Sequence, residues 1–256
     1  MEGHINATTK PTALVTGGSR GIGAATSRAL AARGYRVAVN YFSHREAADQ
    51  VVKLIETDGG EAFAVQADVY DPLQAAELLE RSAVDGRLDA LVCNAGARFT
   101  PTPVQTLAWD GFRAKVTDEL ASVYTLTQRA LELMGAQGQG RIVYVSSAVA
   151  DGPPAPGMAA HGTAKAALNT FARFVAHEAG PLGINVNVLA PGYVRTESSA
   201  RMPQEFQRRL AENTPLGRVA EPEDVARAIA MLVGEEAAFM TGEVLTVDGG
   251  YGLARR

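Results

Sequence analysis

The chain has 256 residues, 46% hydrophobic and 20% charged, enough to bury a substantial core within one domain. A formal net charge of -4 excludes a general attraction to nucleic acid or an anionic membrane, and no apolar run approaches the ~20 residues of a membrane-spanning helix. A single cysteine, Cys93, excludes an internal disulfide and fits a reducing cytoplasm; the four histidines, at 4, 44, 161 and 177, lack metal-ligand spacing, so no metal is expected.

Residues 1–10, "MEGHINATTK", have no apolar signal core and read as a mobile tail ahead of one domain over 11–256. "TALVT" (Thr12–Thr16) is the first predicted strand. A glycine turn and a helical stretch through Arg33 follow it. "RVAVNY" (Arg36–Tyr41) is the second strand, and Ser43 and Glu46 are spaced as a capping box opening the next helix. "EAFAVQ" (Glu61–Gln66) is the third strand, and Asp71-Pro72 places a cap and a first-turn proline at a helix start. "LDALVC" (Leu88–Cys93) is the fourth strand, followed by a long helix from about Ala108 to Met134. "RIVYVS" (Arg141–Ser146) precedes a helix from about Ala159 to Ala179. "INVNVLA" (Ile184–Ala190) and "EVLTVD" (Glu243–Asp248) complete seven strands. The segment from about Gly192 to Ala220 lacks clear strands, lies before a helix opened by "EPED" (Glu221–Asp224), and is placed to act as a lid.

These strands are apolar at both parities, as a parallel sheet covered on both faces requires. Their alternation with helices predicts an α/β chain: a single-domain Rossmann fold whose seven-stranded parallel sheet is doubly wound, with helices on both faces.

"TGGSRGIG" (Thr16–Gly23) joins a strand to a helix. Its glycines allow a tight turn and close approach of backbone to a pyrophosphate, which the helix N-terminus would favour. The end of the second strand, "NYFSHR" (Asn40–Arg45), has no acid before Glu46 to bind ribose hydroxyls. Arg20, with Ser43 and Arg45, could receive a 2′-phosphate there. The expected cofactor is NADP(H).

The chain resembles the classical short-chain dehydrogenase/reductase family from about Thr12 to Gly250. The matching motifs are "TGGSRGIG", "ADV" (Ala67–Val69), "NAG" (Asn94–Gly96) and "APGYVRT" (Ala190–Thr196). The stretches "PLGRVAEPEDVA" and "TGEVLTVDGGY" are similar to its 3-oxoacyl-[acyl-carrier-protein] reductase branch. The resemblance implies cofactor contacts from Gly17, Ser19, Arg20, Gly21, Ile22, Gly23, Asn40, Ser43, Asp68, Val69, Asn94, Ala95, Gly96, Lys165, Pro191, Gly192, Val194 and Thr196. It implies hydride transfer between nicotinamide and a carbonyl or alcohol carbon. The expected substrate is a small or carrier-tethered carbonyl compound, 3-oxoacyl- or polyketide-like, and the expected assembly a homotetramer.

The family's site uses a serine at the substrate oxygen, a tyrosine that exchanges the proton and a lysine that holds the ribose. A helix asparagine positions a relay water. Ser147 matches the serine and Lys165 the lysine. His161 stands at the tyrosine position in "HGTAK", and Glu119 stands at the asparagine position in "VTDELASVY". The predicted catalytic set is Ser147, His161, Lys165 and Glu119. An ionised Glu119 beside His161 would favour imidazolium, a competent proton donor near neutral pH. Three readings stay open: a reductase with an atypical Ser-His-Lys site, a cofactor-binding protein without redox turnover, and a non-redox enzyme acting on a related substrate. Tyr193 is expected to pack or to touch substrate, His44 and His177 to lie at the surface, and Cys93 to lie in the core.

Overall fold

Apolar side chains at both parities of a strand are satisfied only when both faces of the sheet are covered. In the computed structural model, which describes residues 10–151, 155–197, 199 and 203–255, both faces are. The strands are β1 (Thr12–Val15), β2 (Arg36–Tyr41), β3 (Glu61–Gln66), β4 (Ala90–Cys93), β5 (Gly140–Val145), β6 (Ile184–Pro191) and β7 (Val244–Val247). They form one parallel sheet in the order β3-β2-β1-β4-β5-β6-β7. The predicted Rossmann architecture is the one observed. The expected tail lies almost wholly outside the described residues.

The helices are α1 (Gly21–Ala32), α2 (Arg45–Thr57), α3 (Pro72–Ser82), α4 (Trp109–Gln137), α5 (Ala159–Ala179), α6 (Gln204–Glu212) and α7 (Pro222–Leu232). Strand parity sorts them into two layers. Leu14, Leu91, Ile142 and Tyr144 meet α3, α4 and α5 on one face. Ala13, Val15, Val92 and Val143 meet α1, α2 and α7 on the other.

Local chemistry sets several helix starts. The Asp71 side chain accepts from the backbone N–H groups of Leu73 and Gln74, so the expected cap of α3 is present. Glu221 and Asp224 form a reciprocal capping box on α7. The capping box expected from Ser43 and Glu46 does not form. Helix α2 begins at Arg45 with His44 at the cap position and no side-chain cap, which leaves Ser43 one residue too early. The stretch after β6 contains α6, a helix the sequence pattern did not reveal. None of its side chains is buried, and Glu205 pairs with Arg208 and Arg209 along its exposed face.

Strand order reverses between β1 and β4, so the chain leaves these strands toward opposite faces. The resulting crevice at their carboxyl ends is where an open α/β sheet binds ligands. Among the described residues no helix is long and apolar enough to cross a membrane.

Candidate active site

The cradle at the end of β1 is held from both sides. Thr16 Oγ1 accepts from the backbone N–H groups of Asn94 (2.9 Å) and Ala95 (3.0 Å). Asn94 Nδ2 donates to the carbonyls of Thr16 (2.9 Å) and Gly17 (3.2 Å). Gly17 and Gly21 have φ of +59° and +51°, where an L side chain is strained. A Cβ on Gly23 would lie 2.1 Å from the Gly17 carbonyl oxygen, so only glycine lets α1 pack onto the loop. Helix α1 opens without a side-chain cap. The first-turn N–H groups around Ile22, which like those of any helix start have no helical acceptor, are thus left uncapped by Arg20 at the positive end of the helix dipole. This glycine-lined cradle fits a dinucleotide pyrophosphate.

Asn40 has a different role from the one expected. It is 2% exposed; its Oδ1 accepts from Gly17 N–H (3.1 Å), and its amide donates to the carbonyls of Val65 (3.3 Å) and Ala67 (3.2 Å). With its side-chain polar atoms engaged in these bonds, Asn40 supports the loop after β1. Arg20 and Ser43 are exposed at the rim, beside Ser19, whereas Arg45 turns to Asp49 at 3.3 Å. No acid stands at the end of β2. After β3, Asp68 Oδ1 accepts from Tyr70 N–H, and Val69 is buried.

The loop after β6 closes the other side. Gly192 N–H donates to the Val247 carbonyl (3.0 Å), and Val194 bridges to Ala220. A Cβ on Gly21 would come 3.2 Å from Thr196 Cγ2, which places this loop against the cradle. Thr196 thus sits at the cradle, on the loop that also carries Gly192 and Val194.

Ser147 follows β5, and its Oγ accepts from Val149 N–H as a short 3-10 turn begins. Ser146 is buried, 4% exposed, at the strand end. Helix α5 approaches through Gly162, where a Cβ would lie 3.4 Å from the Val149 carbonyl oxygen. One turn after His161 on the same helix face, Lys165 Nζ donates to the Val145 carbonyl at 2.7 Å. That bond ties the lysine to the strand end that precedes Ser147. The 3-10 turn after Ser147 is followed by "DGPPAPGMAA" (Asp151–Ala160), of which residues 152–154 lie outside the described residues.

Glu119 meets Lys165 directly: Oε1 is 2.5 Å from Nζ. Its other oxygen pairs with Lys115 and accepts from Ala97 N–H at 3.2 Å. Lys115 Nζ also donates to the Ala97 carbonyl at 2.7 Å. Gly96 lies beside the Glu119–Lys165 pair: a Cβ there would be 3.6 Å from Glu119 Oε1 and 4.0 Å from Lys165 Nζ, an ordinary contact distance. The Phe99 ring stacks on the His161 imidazole, with centroids 4.4 Å apart and planes 8° from parallel. Lys115 and Phe99 were not anticipated. Lys115 had a signal, its i,i+4 spacing to Glu119; Phe99 had none.

The electrostatics overturn the expectation that Glu119 makes His161 cationic. Burial works to raise the Glu119 carboxyl, but Lys165 and Lys115 outweigh it and hold the group below the usual carboxylate range. Burial lowers the Lys165 ammonium, and Lys115 adds to this; Glu119 opposes them only in part. Burial, reinforced by Lys115 and Lys165, pushes His161 down to about 4. One anion serves two cations, so the imidazole is neutral at physiological pH. Its Nδ1 is buried without a hydrogen-bond partner.

The remaining residues fall where expected. Tyr193 packs edge-on against Phe206 and donates to the Ser199 carbonyl. His44 and His177 are exposed. Cys93 is buried, with its thiol pushed up to about 12 by burial.

Residues 17–252 match the family described as Enoyl-(Acyl carrier protein) reductase. The chain is 39% identical over 249 residues to a 3-oxoacyl-[acyl-carrier-protein] reductase of Synechocystis sp., covering 96% of this chain and 98% of that protein. It is 39% identical over 243 residues to a cis-4-hydroxycyclohexanecarboxylate dehydrogenase of Sinomonas cyclohexanicum, covering 93% and 95%. The solved structure of a 7α-hydroxysteroid dehydrogenase, complexed with NADH and 7-oxo glycochenodeoxycholic acid, superposes with a TM-score of 0.87. It is 30% identical to this chain, with 94% and 93% of the two chains covered. With a doubly wound sheet, a glycine cradle at its switch point and these relatives over nearly its whole length, the chain belongs to the short-chain dehydrogenase/reductase family of oxidoreductases.

Proposed function

We propose that this chain is an NADP(H)-dependent reductase that converts the carbonyl of a 3-oxoacyl- or polyketide-like substrate, small or carrier-tethered, to an alcohol. The observation that carries this reading is the convergence of Ser147, His161 and Lys165 at the end of β5, with Lys165 anchored on the Val145 carbonyl and on Glu119. Similarity to a 3-oxoacyl-[acyl-carrier-protein] reductase supports the substrate class.

When bound, NADP(H) supplies the hydride. Gly17, Ser19, Gly21, Ile22 and Gly23 would hold its pyrophosphate, Asp68 and Val69 its adenine, and Asn94, Ala95 and Gly96 the neighbouring ribose. Pro191, Gly192, Val194 and Thr196 would flank the nicotinamide, with Lys165 at its ribose. The unpartnered His161 Nδ1 marks a position where a ribose hydroxyl or a water completes the site. The Ser147 hydroxyl donates to the substrate oxygen as negative charge develops there. His161 acts as a neutral relay: it gives up the proton on one ring nitrogen and takes one on the other, so no imidazolium accumulates. The proton it takes would come from the Lys165 ammonium one turn away through a water at the unpartnered Nδ1, since Lys165 Nζ bonds the Val145 carbonyl and Glu119 and not the imidazole; solvent would return a proton to the lysine by the same path.

The second reading, a cofactor-binding protein without turnover, draws its support from the same imidazole, since a group held near 4 is a weak acid for an alkoxide. Turnover of 3-oxoacyl or aromatic carbonyl substrates with NADPH decides between them. Tight NADPH binding without any turnover would favour the second.

Preference for NADP(H) rests on the exposed Arg20, which makes no ion pair among the described residues, and on the absence of an acid after β2. Arg20→Ala is expected to weaken NADPH binding about 10- to 100-fold, the worth of a charge-assisted contact, and to leave NADH nearly unchanged. Nicotinamide fluorescence titration reads both. Equal losses for the two cofactors would remove Arg20 from 2′-phosphate recognition.

A homotetramer in a cytoplasmic setting completes the proposal. Its support is the apolar surface left on α4 and α5 by Tyr124 and Phe174, which are 52% and 67% exposed.

A further inference from the structure

Three charged side chains are buried together beside the imidazole. The Lys115, Glu119 and Lys165 side chains are 2%, 2% and 8% exposed. Desolvating three ions costs several kcal/mol each before their attraction repays it, so such a cluster is a costly way merely to fill space. Each ion also has a second anchor. Lys115 donates to the Ala97 carbonyl, Glu119 accepts from the Ala97 N–H, and Lys165 donates to the Val145 carbonyl. The Lys115 ammonium also lies 5.3 Å from the centroid of Phe99, the ring stacked on His161. Lys115 thus touches the carboxylate, the loop after β4 and the aromatic cover of the imidazole.

We propose that Lys115 is a positioning residue of this active site: it clamps Glu119 between two ammonium groups, so that the carboxylate is not free to pair with His161. The proposal rests on the assignment of His161 and Lys165 to the site. The charged groups acting on the imidazole are Lys115 and Glu119 from α4 and Lys165 from α5; the loop after β4 contributes the uncharged Phe99 ring. With Lys115 present the cluster carries a net charge of about +1 and disfavours a further cation on His161. Without Lys115 the cluster becomes neutral overall, and a proton on the imidazole is penalised less. Position 119 carries an acid where the family resemblance expects an amide, and Lys115, together with Lys165, offsets the burial of that acid.

The test uses the full-length protein and a readout independent of turnover. Histidine ring carbons are followed by NMR through a pH titration, with the His161 signal assigned by its absence in His161→Gln. In the native chain His161 is expected to titrate near 4. In Lys115→Met its midpoint should rise by at least one pH unit, a tenfold change in proton affinity, and Lys115→Arg should restore the native midpoint. Lys115→Gln, which can still bond the Ala97 carbonyl, serves if the methionine variant does not fold. A native His161 midpoint near 6.5, or an unchanged midpoint in the folded neutral variants, would overturn the proposal. If the native protein reduces no carbonyl substrate while these shifts appear, the function assignment fails and the charge clamp stands.

Discussion

Glu119→Gln is expected to destabilise the fold by about 3–5 kcal/mol, because it leaves two buried ammonium groups facing each other without their shared anion. Urea unfolding followed by circular dichroism measures the loss. The double variant Lys115→Met/Glu119→Asn, which removes one cation with the anion, should recover a large part of it. A single-variant loss under about 0.5 kcal/mol would mean that water reaches the cluster and the ions are not effectively buried. The same cluster makes the fold acid-sensitive in two windows. The Glu119 carboxyl is depressed on folding, so its contribution is present above its unfolded value and lost as pH falls through the folded one. His161 is depressed from about 6.5 to about 4, so the unfolded chain binds its proton first. Stability therefore declines as pH falls from about 6.5 toward 4, by roughly 1–2 kcal/mol after allowance for screening. His161→Phe should remove that upper window and leave the lower one.

The layers of this fold were readable because each strand carries apolar residues at both parities, and only a sheet covered twice uses them all. Asp71-Pro72 read correctly because a cap and a first-turn proline act locally. Helix α6 escaped because it is short and polar: it buries nothing, and Phe206 and Leu210, one turn apart, are too few apolar residues to make its period stand out. The supposed box at Ser43 failed because one residue of slippage in a helix start moves a cap out of reach. Asn40 was taken as a cofactor contact from its place at a strand end. Its burial and its bond to Gly17 arise from the turn after β1 and the end of β3, neither of which its own sequence surroundings encode. The active site divides in the same way. Glu119 and Lys165 were placed together by motif, and the structure brings them into contact. Glu119 does favour imidazolium, as expected; the balance was misjudged, because it is decided by burial and by Lys115, which sequence spacing could not weigh.

Lys165→Ala is expected to lower carbonyl reduction by about 10²–10⁴-fold, since it removes both the ribose anchor and the acid that resupplies the imidazole. The pH profile separates these roles. A His161 held down to about 4 does not titrate between pH 6 and 7, so native reduction should show no inflection there. Reduction should instead fall as pH rises through the Lys165 ammonium, which burial and Lys115 place below the ordinary lysine range near 10.4. His161→Phe should lower the rate by at least about 10²-fold and keep NADPH affinity within a few-fold, because the relay is lost and the cradle is not. A native profile that falls between pH 6 and 7, and loses that fall in His161→Phe, would show that the imidazole acts as a charged acid after all. That result would require substrate or cofactor to draw Glu119 away from its lysines, since in this structure both of its oxygens are already engaged.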